Sequence, residues 1–226
     1  MKYRLTEETT VICGHTLHRI ECVTAFADVK VGEIGGWVES ESNISQYGNA
    51  WVYDSAKVYG NAWVYDSAKV CGSAKVCDDA KVCDDAKVCG SAKVCDDAKV
   101  CGSAKVYGNA WVYDSAWVYD SAKVYDDAEV CGNAEVCGSA KVCDDAEVCG
   151  NADYIVFKNW WSSGRYFTWT RSNNKWNVGC FYGTGKELVA KAYKDSEVSG
   201  REYKRVVDYV DSILQEKKKC DTTRES

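Results

Sequence analysis

The 226-residue chain contains no proline and only two histidines, and none of its apolar runs approaches the roughly 20 residues that cross a bilayer. The absence of proline suits a long uninterrupted sheet, because proline has no N–H group to donate to a strand ladder. The first ten residues, MKYRLTEETT, lack the apolar core of a secretory signal. We therefore expect a cytoplasmic protein, of a bacterium or of an infected host, with no membrane association.

The charge and the cysteine content further narrow the class of protein to which the chain can belong. The net charge of −6 argues against non-specific binding to nucleic acid, although residues 153–226 are net basic, with 14 basic and 10 acidic side chains. Fourteen cysteines would suggest a disulfide scaffold in a small secreted protein. Here most of them share one position of a repeat, so the repeat itself explains their spacing.

A six-residue repeat fills the middle of the chain. A valine recurs every sixth residue from Val52 to Val148, in units of the form Ala-x-Val-(Tyr/Cys)-(Gly/Asp)-(Asn/Ser/Asp). Alanine and valine stand two residues apart, so their side chains point to the same side of a strand, and the intervening Lys, Trp or Glu points outward. A period of six does not fit a helix. Each hexad is predicted to be a four-residue strand and a corner, and the hexads must stack to bury their apolar side.

A second period of 18 residues is superimposed on the first. The outward position carries tyrosine or cysteine in blocks of three hexads, as in Tyr53, Tyr59 and Tyr65 followed by cysteines at 71, 77 and 83. This pattern predicts three strands per coil, with residues 18 apart stacked on one face of a triangular solenoid. Duplication of sequence blocks would leave the same pattern without a structural cause.

The repeat resembles that of left-handed parallel β-helices, in which an aliphatic residue and a small residue four positions later line the interior. Val52 with Ala56, and Val58 with Ala62, match that pattern. The resemblance implies an all-β solenoid with a left-handed coil of three hexads. Residues 2–68, through YRL, DVK-x-G and GGWVE, resemble uncharacterised bacterial and prophage hexapeptide-repeat proteins, which implies a fold and a cap but no activity.

Four segments are predicted along the chain. They are an N-terminal β cap (1–36), the hexapeptide-repeat β-helix (37–152), a C-terminal α+β module (153–219) and a tail (220–226). Strands are expected at Lys2–Leu5, Thr10–Cys13 and Leu17–Val23 around a Gly14-His15 turn, and at Tyr154–Lys158, Arg165–Thr170 and Lys175–Phe181 in the module. Two module helices should begin after Thr184 and near Ser199. The module resembles a small unit at the end of phage and gut-bacterial proteins, without an implied activity.

Acyl transfer is the activity that the β-helix resemblance raises. Such enzymes typically use a histidine base and a loop inserted into a coil. The repeats contain neither, and the two histidines, His15 and His18, lie in the cap. The sequence therefore predicts a protein that is not an enzyme and needs no cofactor.

Stacked cysteines form the first candidate site. Residues 18 apart should lie about 4.8 Å apart, within the Cα separation that disulfides allow. The predicted ladder pairs Cys71 with Cys89, Cys77 with Cys95, Cys83 with Cys101 and Cys131 with Cys149. Soft-metal capture or redox bridging would use these thiols. Alternatively cysteine is only a small filler, since two thiols are too few for a closed zinc site.

Stacked corner aspartates form a second, weaker candidate, as a calcium site. Asp78 and Asp79 should lie against Asp96 and Asp97, and paired carboxylates can hold Ca²⁺. The alternative is that these residues are solvated turn formers balanced by rows of lysine.

Aromatic and basic residues crowd the C-terminal module. The predicted recognition surface comprises Trp160, Trp161, Arg165, Tyr166, Trp169, Arg171, Lys175 and Trp176. Aromatic rings beside guanidinium groups suit a nucleotide, another phosphorylated ligand or a protein partner. The alternative is that the rings build the core of a small domain.

These observations lead to three functional hypotheses. The first is a non-enzymatic binding or assembly protein, in which a rigid solenoid presents the terminal module for recognition or homo-oligomerisation. The second is a phage-encoded anti-defence protein that sequesters a host nucleotide signal. The third is a metal or redox binder that uses the thiol ladder.

Overall fold

The computed structural model describes the backbone of residues 1–224 and the side chains of residues 1–216. The chain divides into two compact units. The first comprises Met1–Ile155 with Thr170–Asn173, and the second comprises Val156–Trp169 with the residues from Asn174 onward. No described helix is long and apolar enough to span a membrane.

The first unit begins with two antiparallel strands. β1 (Tyr3–Ile12) and β2 (His15–Cys22) form a hairpin, β3 (Ile34–Val38) pairs with β2, and a short 3₁₀ helix (Glu41–Asn43) follows. The predicted strands 2–5 and 10–13 are one strand, with a bulge between Leu5 and Thr9. The turn is Cys13-Gly14, one residue earlier than predicted, because both residues have the positive φ (49° and 87°) of a two-residue hairpin turn.

The repeats form a parallel β-solenoid of short strands. In chain order these are β4 (Trp51–Val52), β5 (Lys57–Val58), β6 (Trp63–Val64), β7 (Lys69–Val70), β8 (Lys75–Val76), β9 (Lys81–Val82), β10 (Lys87–Val88), β11 (Lys93–Val94), β12 (Lys99–Val100), β13 (Lys105–Val106), β14 (Trp111–Val112), β15 (Trp117–Val118), β16 (Lys123–Val124), β17 (Glu129–Val130), β18 (Glu135–Val136), β19 (Lys141–Val142) and β20 (Glu147–Val148).

The strands fall into three parallel sheets, which confirms three sides per coil. One sheet contains every third strand from β4 to β19, another those from β6 to β18, and the remaining strands from β5 to β20 extend the sheet that β1, β2 and β3 begin. Partners are 18 residues apart, as in Lys69, Lys87 and Lys105. The strands have two residues rather than the predicted four, because the corner takes up the rest of each hexad.

The inward valines and alanines form a continuous buried column. From Val52 to Val148 none of them is more than 1% exposed. Burying a valine side chain contributes roughly 1.5 kcal/mol or more relative to leaving it in water, so the stacked column supplies stability that no single hexad could. The predicted inward face is confirmed.

The corners explain why glycine and aspartate alternate at one hexad position. At every sixth residue from Gly48 to Asp144 the backbone φ lies between 54° and 73°, the left-handed region that favours glycine and that aspartate tolerates. Several of these aspartates also accept a hydrogen bond from the backbone N–H one coil later. Asp84 Oδ2 accepts from Gly102 N at 2.8 Å. The corner carboxylates are thus part of the ladder.

Buried polar and aromatic side chains hold the N-terminal cap. Lys2 is 6% exposed, and its Nζ donates to the Ala50 carbonyl at 2.8 Å and lies 4.7 Å from the Phe26 ring centroid. Burial lowers the pKa of Lys2 to about 8. The Tyr3 hydroxyl donates to the Ile44 carbonyl at 2.8 Å. The predicted boundary between the cap and the β-helix, after residue 36, stays a prediction. β3 (Ile34–Val38) extends across this position.

A four-stranded sheet and two helices follow the repeats. They are β21 (Tyr154–Lys158), β22 (Tyr166–Thr170), β23 (Lys175–Val178), β24 (Phe181–Gly183), α1 (Gly185–Asp195) and α2 (Glu197–Arg224). The predicted strand 175–181 is two strands, because Gly179 adopts φ 63° and turns the chain. α2 runs into the predicted tail at 220–226, of which residues 225–226 lie outside the described residues.

The second unit has an aromatic core. Phe167, Trp169 and Trp176 are at most 2% exposed, and Phe167 lies 5.9 Å from Trp176 between ring centroids. Thr184 caps α1 as predicted: its Oγ1 accepts from Glu187 N at 3.3 Å, and Glu187 Oε2 accepts from Thr184 N at 2.8 Å. The fold class is therefore a parallel β-solenoid with a small α+β module.

Candidate functional site

A cavity of about 290 Å³ opens in the second unit. Its wall includes Asn159 after β21, Arg165 before β22, Lys191 and Asp195 on α1, and Tyr203 on α2. Lys191 and Asp195 are four residues apart and so share one face of α1 with the buried Leu188. The same helical spacing that packs α1 thus places charged groups at the cavity.

Asn159 is the most unusual residue of this cavity. It is 3% exposed, and its Nδ2 donates to the Tyr203 hydroxyl at 3.1 Å. Its Oδ1 is buried and has no hydrogen-bond partner among the described residues. An orphaned buried polar atom costs about 1–3 kcal/mol, so a ligand that satisfies it gains that energy.

Opposite charges lie near the phenol of Tyr203. Burial raises its pKa, the hydrogen bond from Asn159 and the charge of Arg165 oppose that rise, and Asp195 adds to it. The guanidinium of Arg165 lies beside Gly179, where an added Cβ would be 3.2 Å from one of its nitrogens. The cavity therefore combines a cation, a carboxylate, a phenol and an unsatisfied amide.

The eight predicted recognition residues do not share one surface. Trp169 and Trp176 are in the core, whereas Trp160 is 77% exposed and Tyr166 is also exposed. Arg171 belongs to the first unit, where it lies 3.7 Å from the Asp153 carboxylate.

Of the remaining three predicted residues, one lines the cavity. Trp161 packs edge-on against Tyr203 at 5.0 Å between ring centroids, and Lys175 is half-buried. Arg165 reaches the cavity wall. Binding by these residues stays a prediction. Asn159, Lys191 and Tyr203 were missed. Only the apolar stripe of α2, which predicted Tyr203 as a packing residue, could have pointed to one of them.

The first unit places the predicted cysteine partners on successive coils, and a role for the thiol ladder stays a prediction. Cys71 is bonded to Cys89 and Cys131 to Cys149, with Cα–Cα distances of 4.6 and 4.4 Å. Four further members of the ladder are free thiols: Cys77, Cys83, Cys95 and Cys101.

Indole N–H groups bind the upper thiol of two pairs. Trp111 Nε1 donates to Cys95 Sγ at 3.0 Å, and Trp117 Nε1 donates to Cys101 Sγ at 2.8 Å. A hydrogen bond from Cys77 lowers the pKa of Cys95, and the Trp111 N–H lowers it further. The same thiol–thiol bond raises the pKa of Cys77. Burial raises the pKa of Cys83 to about 11.

The corner aspartates lie where stacking predicted them. Asp79 N donates to the Asp96 carbonyl at 3.0 Å, and Asp96 Oδ2 accepts from Asp114 N at 3.2 Å. Asp79 accepts from Asn61 Nδ2 at 3.1 Å and lines a corner cavity with Asp97, Lys81 and Lys99. Asp78 takes the left-handed corner conformation, with φ 60°. These contacts give the carboxylates a structural role, and calcium binding by them stays a prediction.

The cap places one histidine against a carboxylate. His15 Nδ1 lies 2.9 and 3.0 Å from the two oxygens of Glu39, and Glu39 Oε2 accepts from Gly60 N at 2.7 Å. The hydrogen bond from His15 lowers the pKa of Glu39. His18 instead contacts the Thr6 carbonyl, 3.1 Å from its Nδ1.

Comparison with known proteins agrees with the coil geometry. Residues 104–120 match the family described as YdcK Beta solenoid repeat. Over that segment the chain is similar to this family, and its own fold is a β-solenoid of six-residue repeats. Over 61 residues, 24% of its length, it is 36% identical to the uncharacterised acetyltransferase YdcK of Escherichia coli (strain K12). The match spans 19% of that protein, so the activity in its name belongs to that protein.

Proposed function

We propose that this chain is a non-enzymatic binding protein, in which the solenoid is a rigid scaffold and the cavity of the second unit binds a small anionic ligand. The observation that carries the proposal is the buried, unpartnered Oδ1 of Asn159, a residue of the cavity wall, to which Arg165 also belongs. Native sites seldom leave a buried acceptor unsatisfied. A ligand with an N–H or O–H donor would complete it.

The charges of the cavity define the rest of the ligand. Arg165 and Lys191 suit a carboxylate or phosphate group, and guanidinium binds such groups through paired hydrogen bonds. The volume of about 290 Å³ lies at the small end for ligand sites. We therefore expect a ligand no larger than a mononucleotide.

The anti-defence hypothesis is a narrower form of this proposal. A nucleotide needs a ring on which its base can stack, and the cavity offers Phe181 and Tyr203. The exposed Trp160 and Tyr166 are outside this wall. The ligand test therefore includes a nucleoside monophosphate beside inorganic phosphate and acetate, so that base recognition separates from anion recognition.

The first experiment is native mass spectrometry of the protein purified from its expression host, followed by calorimetric titration with those three probes. Arg165→Gln should weaken anion binding about 10- to 100-fold, because it removes a charge-assisted hydrogen-bond donor. Asn159→Asp should weaken it similarly by adding a negative charge beside the anion.

Arg171→Gln is the matched control, since the sequence predicted both arginines for one site and the structure places Arg171 in the other unit. It should bind like the wild type. A protein that carries no ligand and binds none of the probes would contradict the proposal, as would equal losses in the Arg165 and Arg171 variants.

Homo-oligomerisation through the terminal module remains part of the proposal. Its support is the exposure of Trp160, since tryptophan is enriched at the centres of protein interfaces. Sedimentation velocity of the wild type and of Trp160→Ser tests it. An assembly that dissociates in the variant supports the idea, and a wild-type monomer at high concentration contradicts it.

Acetyl transfer is a second candidate function, and the His15–Glu39 pair favours it. A carboxylate that accepts from Nδ1–H fixes the neutral imidazole with Nε2 as the base. The named activity of the partial relative points the same way. Against it, the repeats lack the inserted loop that such enzymes typically use.

The test is chromatographic detection of coenzyme A released from acetyl-coenzyme A with amine and hydroxyl acceptors. Release that His15→Ala abolishes and His18→Ala preserves would support the candidate. Wild-type release no faster than the protein-free blank would remove it.

A further inference from the structure

The three faces of the solenoid differ in what lies above their stacked cysteines. On two faces a tyrosine and two cysteines stack at intervals of 18 residues, and a tryptophan 16 residues after the second cysteine lies on the next coil. We call these groups the Trp-capped columns: Tyr59, Cys77, Cys95 and Trp111 form one, and Tyr65, Cys83, Cys101 and Trp117 form the other. The third face has Tyr53, Cys71 and Cys89, with Lys105 where the others have tryptophan.

This difference coincides with the state of the thiols. Cys71 and Cys89, which have Lys105 in that place, are bonded to each other, whereas all four cysteines of the Trp-capped columns are free. In each capped column the indole N–H donates to the upper sulfur, at 3.0 Å in one and 2.8 Å in the other. The two columns therefore repeat one arrangement on neighbouring faces.

We propose that each Trp-capped column binds one soft monovalent metal ion of the Cu(I) class. The ligands are the two cysteine sulfurs, with the carboxylate of Asp78 or Asp84 beside them. In each group the candidate ligand atoms lie within 4.8 Å of one another. A metal–thiolate bond is about 2.3 Å long, so two sulfurs on one ion are at most about 4.6 Å apart. The observed spacing needs little adjustment.

The donor set selects the metal. Two thiolates suit a soft ion that accepts low coordination, whereas structural zinc requires four ligands and calcium requires six or more oxygens. Binding replaces two S–H protons with one monovalent ion, so two protons leave for solvent and the bound group carries one negative charge. No electron is transferred.

The surroundings suit that charge. Lys93 Nζ lies 4.9 Å from the Trp111 ring centroid, and Lys99 Nζ lies 5.8 Å from that of Trp117. Each column thus has an ammonium group close to its capping indole. The indole N–H stabilises negative sulfur directly, as hydrogen-bond donors around metal ligands commonly do.

The experiment uses the full-length protein under anaerobic conditions, with the disulfides left intact. Cu(I) is supplied in competition with a chromophoric Cu(I) chelator. The wild type should remove from the chelator one ion more per column than the double variant Cys95→Ser with Cys101→Ser. The matched control, Cys13→Ser with Cys180→Ser, removes two exposed thiols outside the columns and should behave like the wild type.

The capping indoles provide a second, independent measurement. Trp111→Phe with Trp117→Phe keeps all cysteines, so any loss reports the hydrogen bonds, and we expect apparent Cu(I) affinity to fall about 10- to 100-fold. Ion binding should also quench tryptophan fluorescence in the wild type and less in this variant. Trp160→Phe, in the second unit, should leave both the affinity and the quenching by the column ions unchanged.

Three results would overturn the assignment. The Cys95/Cys101 variant could bind as many Cu(I) ions as the wild type while its circular dichroism shows a folded solenoid. Zn²⁺ could bind at the columns with Cu(I) failing to displace it. Peptide mapping could also find Cys77–Cys95 and Cys83–Cys101 bonded in the purified protein, which would make the columns disulfide staples. The columns and the cavity of the second unit share no residue, so the metal result and the ligand result stand separately.

Discussion

The corners of the solenoid and the cavity of the second unit differ in how their polar groups are satisfied. In the solenoid each coil meets nearly the same coil above it, so a corner carboxylate such as Asp84 finds the N–H of Gly102 by repetition alone. In the second unit no repetition exists, and Asn159 Oδ1 is buried without a partner among the described residues. The repeated corners thus supply partners for their own carboxylates, whereas Asn159 Oδ1 is left for a ligand to satisfy.

The largest expected effect breaks the column of buried valines. Val94→Asp places a carboxylate at a position that is 0% exposed, between Val76 and Val112 of the coils below and above. An unpaired buried charge should lower the free energy of unfolding by more than about 4 kcal/mol. Chemical denaturation followed by far-ultraviolet circular dichroism measures this loss.

The outward neighbour provides the control for that variant. Lys93 is exposed, and Lys93→Ala should change stability by less than about 0.5 kcal/mol. Similar losses in the two variants would contradict the inward and outward assignment of the hexad.

The second expected effect compares two tryptophans of the terminal unit. Trp176 is 1% exposed within the aromatic core, and Trp160 is 77% exposed. Trp176→Ala should cost about 3–5 kcal/mol, whereas Trp160→Ala should have little effect on stability. Hydrogen exchange of peptides from 156–169 and 174–216 measures the local stability of the second unit directly. Equal exchange in both variants would show that the rings do not form a core.

A smaller effect separates backbone strain from crowding at the corners. Gly90 and Gly138 both have positive φ, 72° and 64°, but an added Cβ would be 3.0 Å from the Gly108 carbonyl oxygen in one case and clear of other atoms within 4 Å in the other. Gly138→Ala should cost about 1 kcal/mol through strain alone. Gly90→Ala should cost clearly more, and thermal melts that rank the variants the other way would refute the stacking distance.

The last expected effect is a pH dependence of the N-terminal cap. Burial lowers the pKa of Lys2 from 10.5 to about 8. Between those pH values the unfolded chain holds more protons than the folded one, so the stability of the wild type should rise with pH. Below about pH 8 this contribution is constant.

Lys2→Met isolates the contribution of Lys2 to the pH dependence of stability. The titrations of all other groups cancel when the unfolding free energies of the two proteins are subtracted. The unfolding free energy of the wild type minus that of the variant should increase from pH 7 to pH 10. A flat or falling difference would mean that Lys2 keeps its ordinary pKa in the folded protein.

Much of the first unit could be predicted because its signals are periodic. Val58 and Ala62 repeat at a spacing that only a stacked strand satisfies, and the block of Cys71, Cys77 and Cys83 revealed the coil of 18 residues. Strand length could not be predicted in this way. It depends on the left-handed corner residue, whose φ follows from both stacking and the choice of glycine or aspartate.

Much less of the candidate sites could be predicted from the sequence. Arg165 was predicted on composition, but composition could not tell it from Arg171, which the structure places in the first unit. Nothing in the sequence predicts that Asn159 belongs to a site, because an asparagine that follows a strand is typical of a turn. The cysteine pairs were predicted, yet the indoles that bind Cys95 and Cys101 were not connected to them.

The sequence by itself determined the solenoid, because a hexad that repeats in register leaves the chain one way to bury its valines. Tertiary structure decided which polar atoms stay unsatisfied and which thiols receive an indole N–H. Those outcomes depend on contacts between residues such as Asn159 and Tyr203, 44 positions apart, or Cys95 and Trp111, on successive coils. Local composition cannot encode them, since the same residue types at another register would meet different partners.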